Sequence, residues 1–251
     1  YDITLENTSN NFVGNLIVRA ANVSIKDTGT TIIGATIVSG NYALTAGGAV
    51  TDSGDLDIEG TTTVSASGFN ITLDRAGHDF TGAVAVVGAN VELTDANSII
   101  LGTSDVSGTY EVTAVDGNIT DTGTLTVAGT TTLTTSANNA TISLDTTTNA
   151  FTGSFTITTN DDSGADADVT IDGGTTAVII AASTIDGDLT VTSGNASGIT
   201  DSGAVTVAGN LVATTDANNG VVTLDQTTVT GTMDLTTHGT GDVTIDNAAL
   251  D

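Results

Sequence analysis

The chain has 251 residues, thirty acids against three basic residues, a net charge of -27, and no Cys, Pro or Trp. Such a surface disfavours nucleic acid and anionic membranes as partners, and the longest apolar run, residues 177–182, is far short of the ~20 residues that a membrane span needs. Thr is the commonest residue, followed by Asp, Ala, Gly, Val and Asn, which excludes long helices; the 38% of hydrophobic residues alternate with Thr at period two, which excludes disorder.

In chain order, the first strand is Ile3-Thr4-Leu5, closed by Glu6. An apolar-Thr-apolar strand ending in an acid then recurs at Asp27, Asp52, Asp74, Asp95, Asp121, Asp145, Asp172, Asp201, Asp225 and Asp246, with gaps of 21 to 29 residues. Between these lie Gly-x-apolar-x-apolar strands such as GNLIV at Gly14, GDLDI at Gly54, GTLTV at Gly123 and GAVTV at Gly203. Three cassettes follow one another in fixed order. The first reads ITLE, ITLD, ISLD or VTLD and leads in three of four copies into Phe-(Thr/Val)-Gly; the second reads ANVSIKD, ANVELTD, ADVTIDG or GDVTIDN; the third reads AVTDSG, NITDTG or GITDSG. The acids of the first cassette stand 68, 71 and 80 residues apart.

This periodicity predicts an all-β, single-stranded parallel β-solenoid of about 10–11 coils of ~24 residues, with a three-coil superrepeat, running through 1–251 as one continuous body without separate domains. Stacked at the ~4.8 Å strand spacing, the coils give a rod on the order of 50 Å long. Phe12, Phe80, Phe151 and Val229 occupy equivalent places five or six residues after the acid of the first cassette or nearby, and are expected to point inward, as are Leu5, Leu73, Leu144 and Leu224. A capping segment is not evident at Tyr1–Glu6 or at residues 246–251, so an interior stretch of a longer polypeptide, or a subunit whose ends pair head to tail with other copies, is expected.

Strings such as ITDSGAVTVAG, ITDTGTLTVAGTTTLTTSANNATISLD and HDFTGAVAVVGANVELTDAN resemble the repeat region of filamentous-haemagglutinin-type exoproteins, large bacterial surface adhesins of the two-partner-secretion and autotransporter kind. The resemblance implies a right-handed β-helical shaft, secreted and extracellular at the bacterial cell surface, associating with itself and attaching to host or neighbouring cells. The lack of Cys suits very large exported chains, which disulfides then cannot trap.

The recurrent acids invite a hard cation such as Ca2+, and the densest cluster, Asp161, Asp162, Asp166 and Asp168, is the first choice for a weak metal site. The plainer reading is that Asp and Asn at corners bond to the turning backbone; no other cofactor is implied. A carbohydrate-active β-helix of the polysaccharide lyase or hydrolase kind, or a calcium-binding surface-layer-type protein, is the alternative. A lyase needs a basic residue near bound calcium, yet Arg19, Lys26 and Arg75 are scattered; with thirty acids, carboxylate pairs carry no information on hydrolysis. His78 and His238 read as exposed turn residues, and Ser53 and Ser202, with Thr122 in the same place, have no recurring His partner. No catalytic residue is assigned, and a non-enzymatic role is expected. The Thr-x-Thr stretches of ice-binding solenoids sit at one fixed corner, whereas here they wander along the sequence.

Overall fold

The computed structural model describes residues 1–160, 164 and 166–245, and among them every regular element is a β-strand. The strands form two sheets of fifteen and one of four, parallel throughout. A representative coil runs through Tyr42–Ala46, Val50–Asp52 and Leu56–Ile58. The coil stacked on it runs through Thr62–Ser65, Ile71–Leu73 and Asp79–Phe80, in the register Tyr42 to Thr62, Val50 to Ile71 and Ile58 to Phe80. Period two sets the faces: in Tyr42–Ala46 the residues Tyr42, Leu44 and Ala46 are buried, while Ala43 and Thr45 are not. The core is one column of such inward side chains along the axis, with Tyr42, Tyr110, Phe80, Phe151 and Phe155 the largest fully buried ones.

The β-solenoid expected from the periodicity is therefore present, but a coil takes roughly 21 residues rather than ~24, and there are about eleven. The reason lies in what the recurrent acids mark. Successive acids do not stack coil upon coil throughout; they also step around the axis. Ile3–Leu5 and Ile142–Leu144, both first cassettes, lie in one large sheet with six strands between them, whereas the intervening first cassette, Ile71–Leu73, lies in the other large sheet. From Ile71–Leu73 to the fourth copy at Val222–Thr223 there are again six strands between. Two repeat units thus make seven coils, and one unit makes three and a half, not three. Each unit starts on the face opposite to its predecessor.

Phe80 and Phe151 point inward, as do Leu73, Leu144 and Leu224. Phe12 and Val229 are half-buried against the core. Leu5 departs from expectation at 39% exposed, because its strand is paired on one side only, to Val23–Asp27. His78 also departs: it is fully buried, while His238 is exposed as expected. Tight corners need glycine where backbones meet. A Cβ on Gly129 would stand 2.5 Å from the carbonyl oxygen of Gly108 one coil away, and the Gly129 N–H donates to that oxygen at 2.9 Å.

Candidate functional site

The polar chemistry of this chain converges on one recurring corner, where the first cassette turns towards its Phe. In the coil before it, the acid of the third cassette faces inward: Asp52 is in register with Ile33, Asp121 with Leu101 and Asp201 with Ile180. Alternation forces this orientation, since Val50 and Ile119, two residues earlier, are core residues. A carboxylate there must find donors, and it finds them one coil on. One oxygen accepts a backbone N–H of the first-cassette acid: Asp74 to Asp52 at 3.4 Å, Asp145 to Asp121 at 3.1 Å, Asp225 to Asp201 at 3.2 Å. The other oxygen faces the residue two before Phe80, Phe151 or Val229. The Asn149 amide donates to Asp121 at 2.7 Å and the Thr227 hydroxyl to Asp201 at 2.8 Å. His78 Nε2 stands 3.6 Å from Asp52 Oδ2.

That same residue reaches back as an acceptor. The Leu125 N–H donates to Asn149 Oδ1 at 2.8 Å, and the Leu56 N–H to His78 Nδ1 at 3.0 Å. From the coil after, the second-cassette acid completes the corner. The Phe12 N–H donates to Asp27 at 3.2 Å and the Phe80 N–H to Asp95 at 3.0 Å; in the third unit the Thr176 hydroxyl takes the Phe151 N–H instead, at 3.0 Å. At Phe80 and Phe151 the corner is therefore a polar clamp across three coils, parts of it recur at Phe12 and Val229, and the carboxylates of Asp27, Asp52, Asp95, Asp121 and Asp201 serve as its jaws.

Burial governs their protonation. Desolvation raises the carboxyls of Asp52 and Asp121 above the ordinary range, opposed at Asp52 by His78 and at Asp121 by the Asn149 amide. Asp95 is pushed from 3.8 to about 6 by burial, in spite of the N–H groups of Asn97 and Phe80 that favour its charge. Burial lowers the imidazole of His78, against the pull of Asp52 and Asp55. Arg75 pairs with Asp55 at 2.8 Å and lies 3.7 Å from Asp52.

Of the four acids singled out for a cation, Asp161 and Asp162 lie outside the described residues. Asp166 and Asp168 are exposed and engaged separately. Asn139 turns its amide to the Asp166 carboxylate, 2.6 Å from Oδ1. Asp168 accepts the Asp188 N–H at 2.8 Å, Asp188 that of Asn210 at 2.6 Å, and Asn210 that of Thr232 at 2.9 Å, so Asp168 opens a corner ladder. Among the described residues no group of three or more His, Asp or Glu is placed to hold a metal ion. Among the described residues no helix is long and apolar enough to cross a membrane. Ser53 donates to the Ile33 carbonyl at 3.4 Å.

The Thr-x-Thr stretches lie on both large sheets, residues 132–134 and 156–158 on one and 190–192 on the other, but single Thr residues of one sheet align. Thr94, Thr113, Thr134, Thr158, Thr184, Thr206 and Thr228 pair rung to rung into one outward column of a large sheet. The column on the other large sheet that starts in the preceding second cassette runs Lys26, Thr45, Ser65, Val87, Asp105, Thr126 and Ala150, so the fold tolerates other residues there.

A family model described as repeats of unknown function (DUF5649) matches residues 20–87, 88–158 and 166–228. Each match opens at a second cassette, so each is one unit of three and a half coils. No curated protein and no solved structure matches the chain.

Proposed function

Since this chain belongs to the family of repeats of unknown function (DUF5649), we propose that it serves as a structural shaft: a stiff, acidic solenoid segment of an extracellular bacterial surface fibre, acting by self-association and by attachment to cell surfaces. The observation that carries this reading is the corner clamp, drawn across three coils at Phe80 and Phe151 and in part at Phe12 and Val229, which turns the polar chemistry of the corner towards holding one coil to the next. The clamp residues His78, Asp95 and Asn149 are closed off from solvent, as suits a device that works on the rod itself. Burial of Phe80, Phe151 and Phe155 and partial burial of Phe12 leave Phe69 as the exposed phenylalanine, which speaks against a sugar-stacking groove. The -27 charge suits a rod that must stay soluble at high length.

Antibodies against residues 1–251, applied to intact source cells and followed by negative-stain microscopy, test this. Surface label on filaments about 20 to 30 Å wide, the width of such a coil, supports the shaft. Label that appears only after the cells are opened, or that marks globular particles, overturns it.

A further inference from the structure

We propose that His78 is a proton-operated latch: a proton taken up by the His78–Asp52 pair breaks the bond that ties Leu56 to the next coil, loosening this one corner of the rod while the corners built on Asn149 and Thr227 stay closed.

The argument begins with the tautomer. Nδ1 of His78 accepts the Leu56 N–H at 3.0 Å, so Nδ1 carries a lone pair and the ring proton sits on Nε2. Nε2 is 3.6 Å from Asp52 Oδ2, and both atoms are sealed from solvent without a hydrogen bond to any other group. A proton arriving from solvent has two seats. On Nδ1 it converts the acceptor into a second N–H facing the Leu56 N–H, and that bond is lost. On Asp52 Oδ2 it puts an O–H against the Nε2–H; the two can pair only if the ring proton moves to Nδ1, where it faces the Leu56 N–H and the same bond is lost. Neither seat leaves both contacts intact.

Every charged group around the ring bears on this. From the coil before come Asp52 and Asp55, and from the same turn Asp74, Arg75 and Asp79; from the coil after, Asp95 holds the neighbouring Phe80 N–H, and the Ala96 N–H donates to the His78 carbonyl at 2.7 Å. Carboxylates outnumber the one guanidinium, so once acid overcomes the burial that lowers the imidazole, the added charge is held. The rest of the corner is a built-in control. Asn149 repeats the two contacts of His78, accepting from Leu125 and donating to Asp121, but an amide does not titrate.

Amide hydrogen exchange from pH 7.5 to 5, corrected for intrinsic rates, tests the latch. In the wild-type chain, protection of Leu56 should fall by about tenfold or more relative to Leu125, as one protonation coupled to opening gives for each whole step of pH. In His78→Asn, which copies the corner at Asn149, the two amides should keep pace. Equal protection of both amides in the wild type, or a Leu56 loss that persists in His78→Asn, overturns the proposal. Nitrogen-15 shifts of the imidazole give a second reading that needs no variant: Nδ1 unprotonated at neutral pH is expected, and Nδ1 protonated with Nε2 bare overturns it.

Discussion

Asp121 holds the side-chain amide of Asn149 at 2.7 Å from a position that the strand before it fills with Leu101. A carboxylate has thus been set into an apolar column and satisfied entirely by the coil that follows. Removing it leaves the Asn149 amide and the Asp145 N–H without their acceptor. Asp121→Ala should cost about 1–3 kcal/mol, the penalty of orphaned polar groups, whereas Asp225→Ala, at an exposed position, should fall within about 0.5 kcal/mol of wild type. Denaturant unfolding of the two variants side by side gives the comparison; equal costs would show that the clamp contributes nothing beyond a surface acid.

Phe80 is fully buried and Phe12, its counterpart in the preceding unit, only half so. Truncation of Phe80 to Ala should cost roughly 3 to 5 kcal/mol, and the same change at Phe12 distinctly less. Because a solenoid's stability is a sum over neighbouring repeats, the loss should appear in exchange protection of residues 56–96 before it spreads along the rod.

Acid should act on Asp95 in the direction opposite to its action on His78. The folded carboxyl of Asp95 sits at about 6 against 3.8 for the free group, so the folded state holds the proton more firmly. The stability that this confers is present below pH 4 and is lost as pH rises through about 6; it amounts to about 2 kcal/mol between pH 4.5 and 7.5. For His78 the folded value is lowered, so its contribution is present above the unfolded value near 6.5 and is lost as pH falls below it. Asp95→Asn should flatten the first dependence, read as the difference in unfolding free energy at the two pH values. A slope unchanged in the variant would assign the effect to other acids.

Spreading thirty acids along a rod ~50 Å long brings neighbouring carboxylates within about a Debye length, ~8 to 10 Å, of one another. Thermal unfolding should therefore occur at higher temperature as sodium chloride is added to dilute buffer. Calcium chloride at matched ionic strength, with EDTA as the control, separates screening from specific binding. Equal midpoints in the two salts identify plain screening; a higher midpoint in calcium, reversed by EDTA, identifies a cation site.

Strand identity and the burial of Leu73, Phe80, Phe151 and Leu224 were legible because a strand's faces follow from period two alone. The coil length was not, because counting from acid to acid measures the distance between corners on different faces. The Thr column from Thr94 to Thr228 was hidden because its neighbours stand 19 to 26 residues apart in sequence and all but Thr94 lie in linking strands outside the cassettes. His78 reads as a turn residue because its partners, Leu56 and Asp52, are 22 and 26 residues away. A signal for it did exist. His78, Asn149 and Thr227 all stand two residues before Phe80, Phe151 and Val229, and three hydrogen-bonding side chains in one slot mark a shared internal partner.

The half-coil left over in each unit gives the rod a parity. If a unit is gained or lost by recombination between such similar repeats, everything beyond the junction is turned through half a revolution, and the Thr column of one side is carried to the other. Changes by pairs of units leave the two sides where they were. Length variants that differ by an even number of units should therefore present the same side beyond the junction, and those that differ by an odd number should present its opposite.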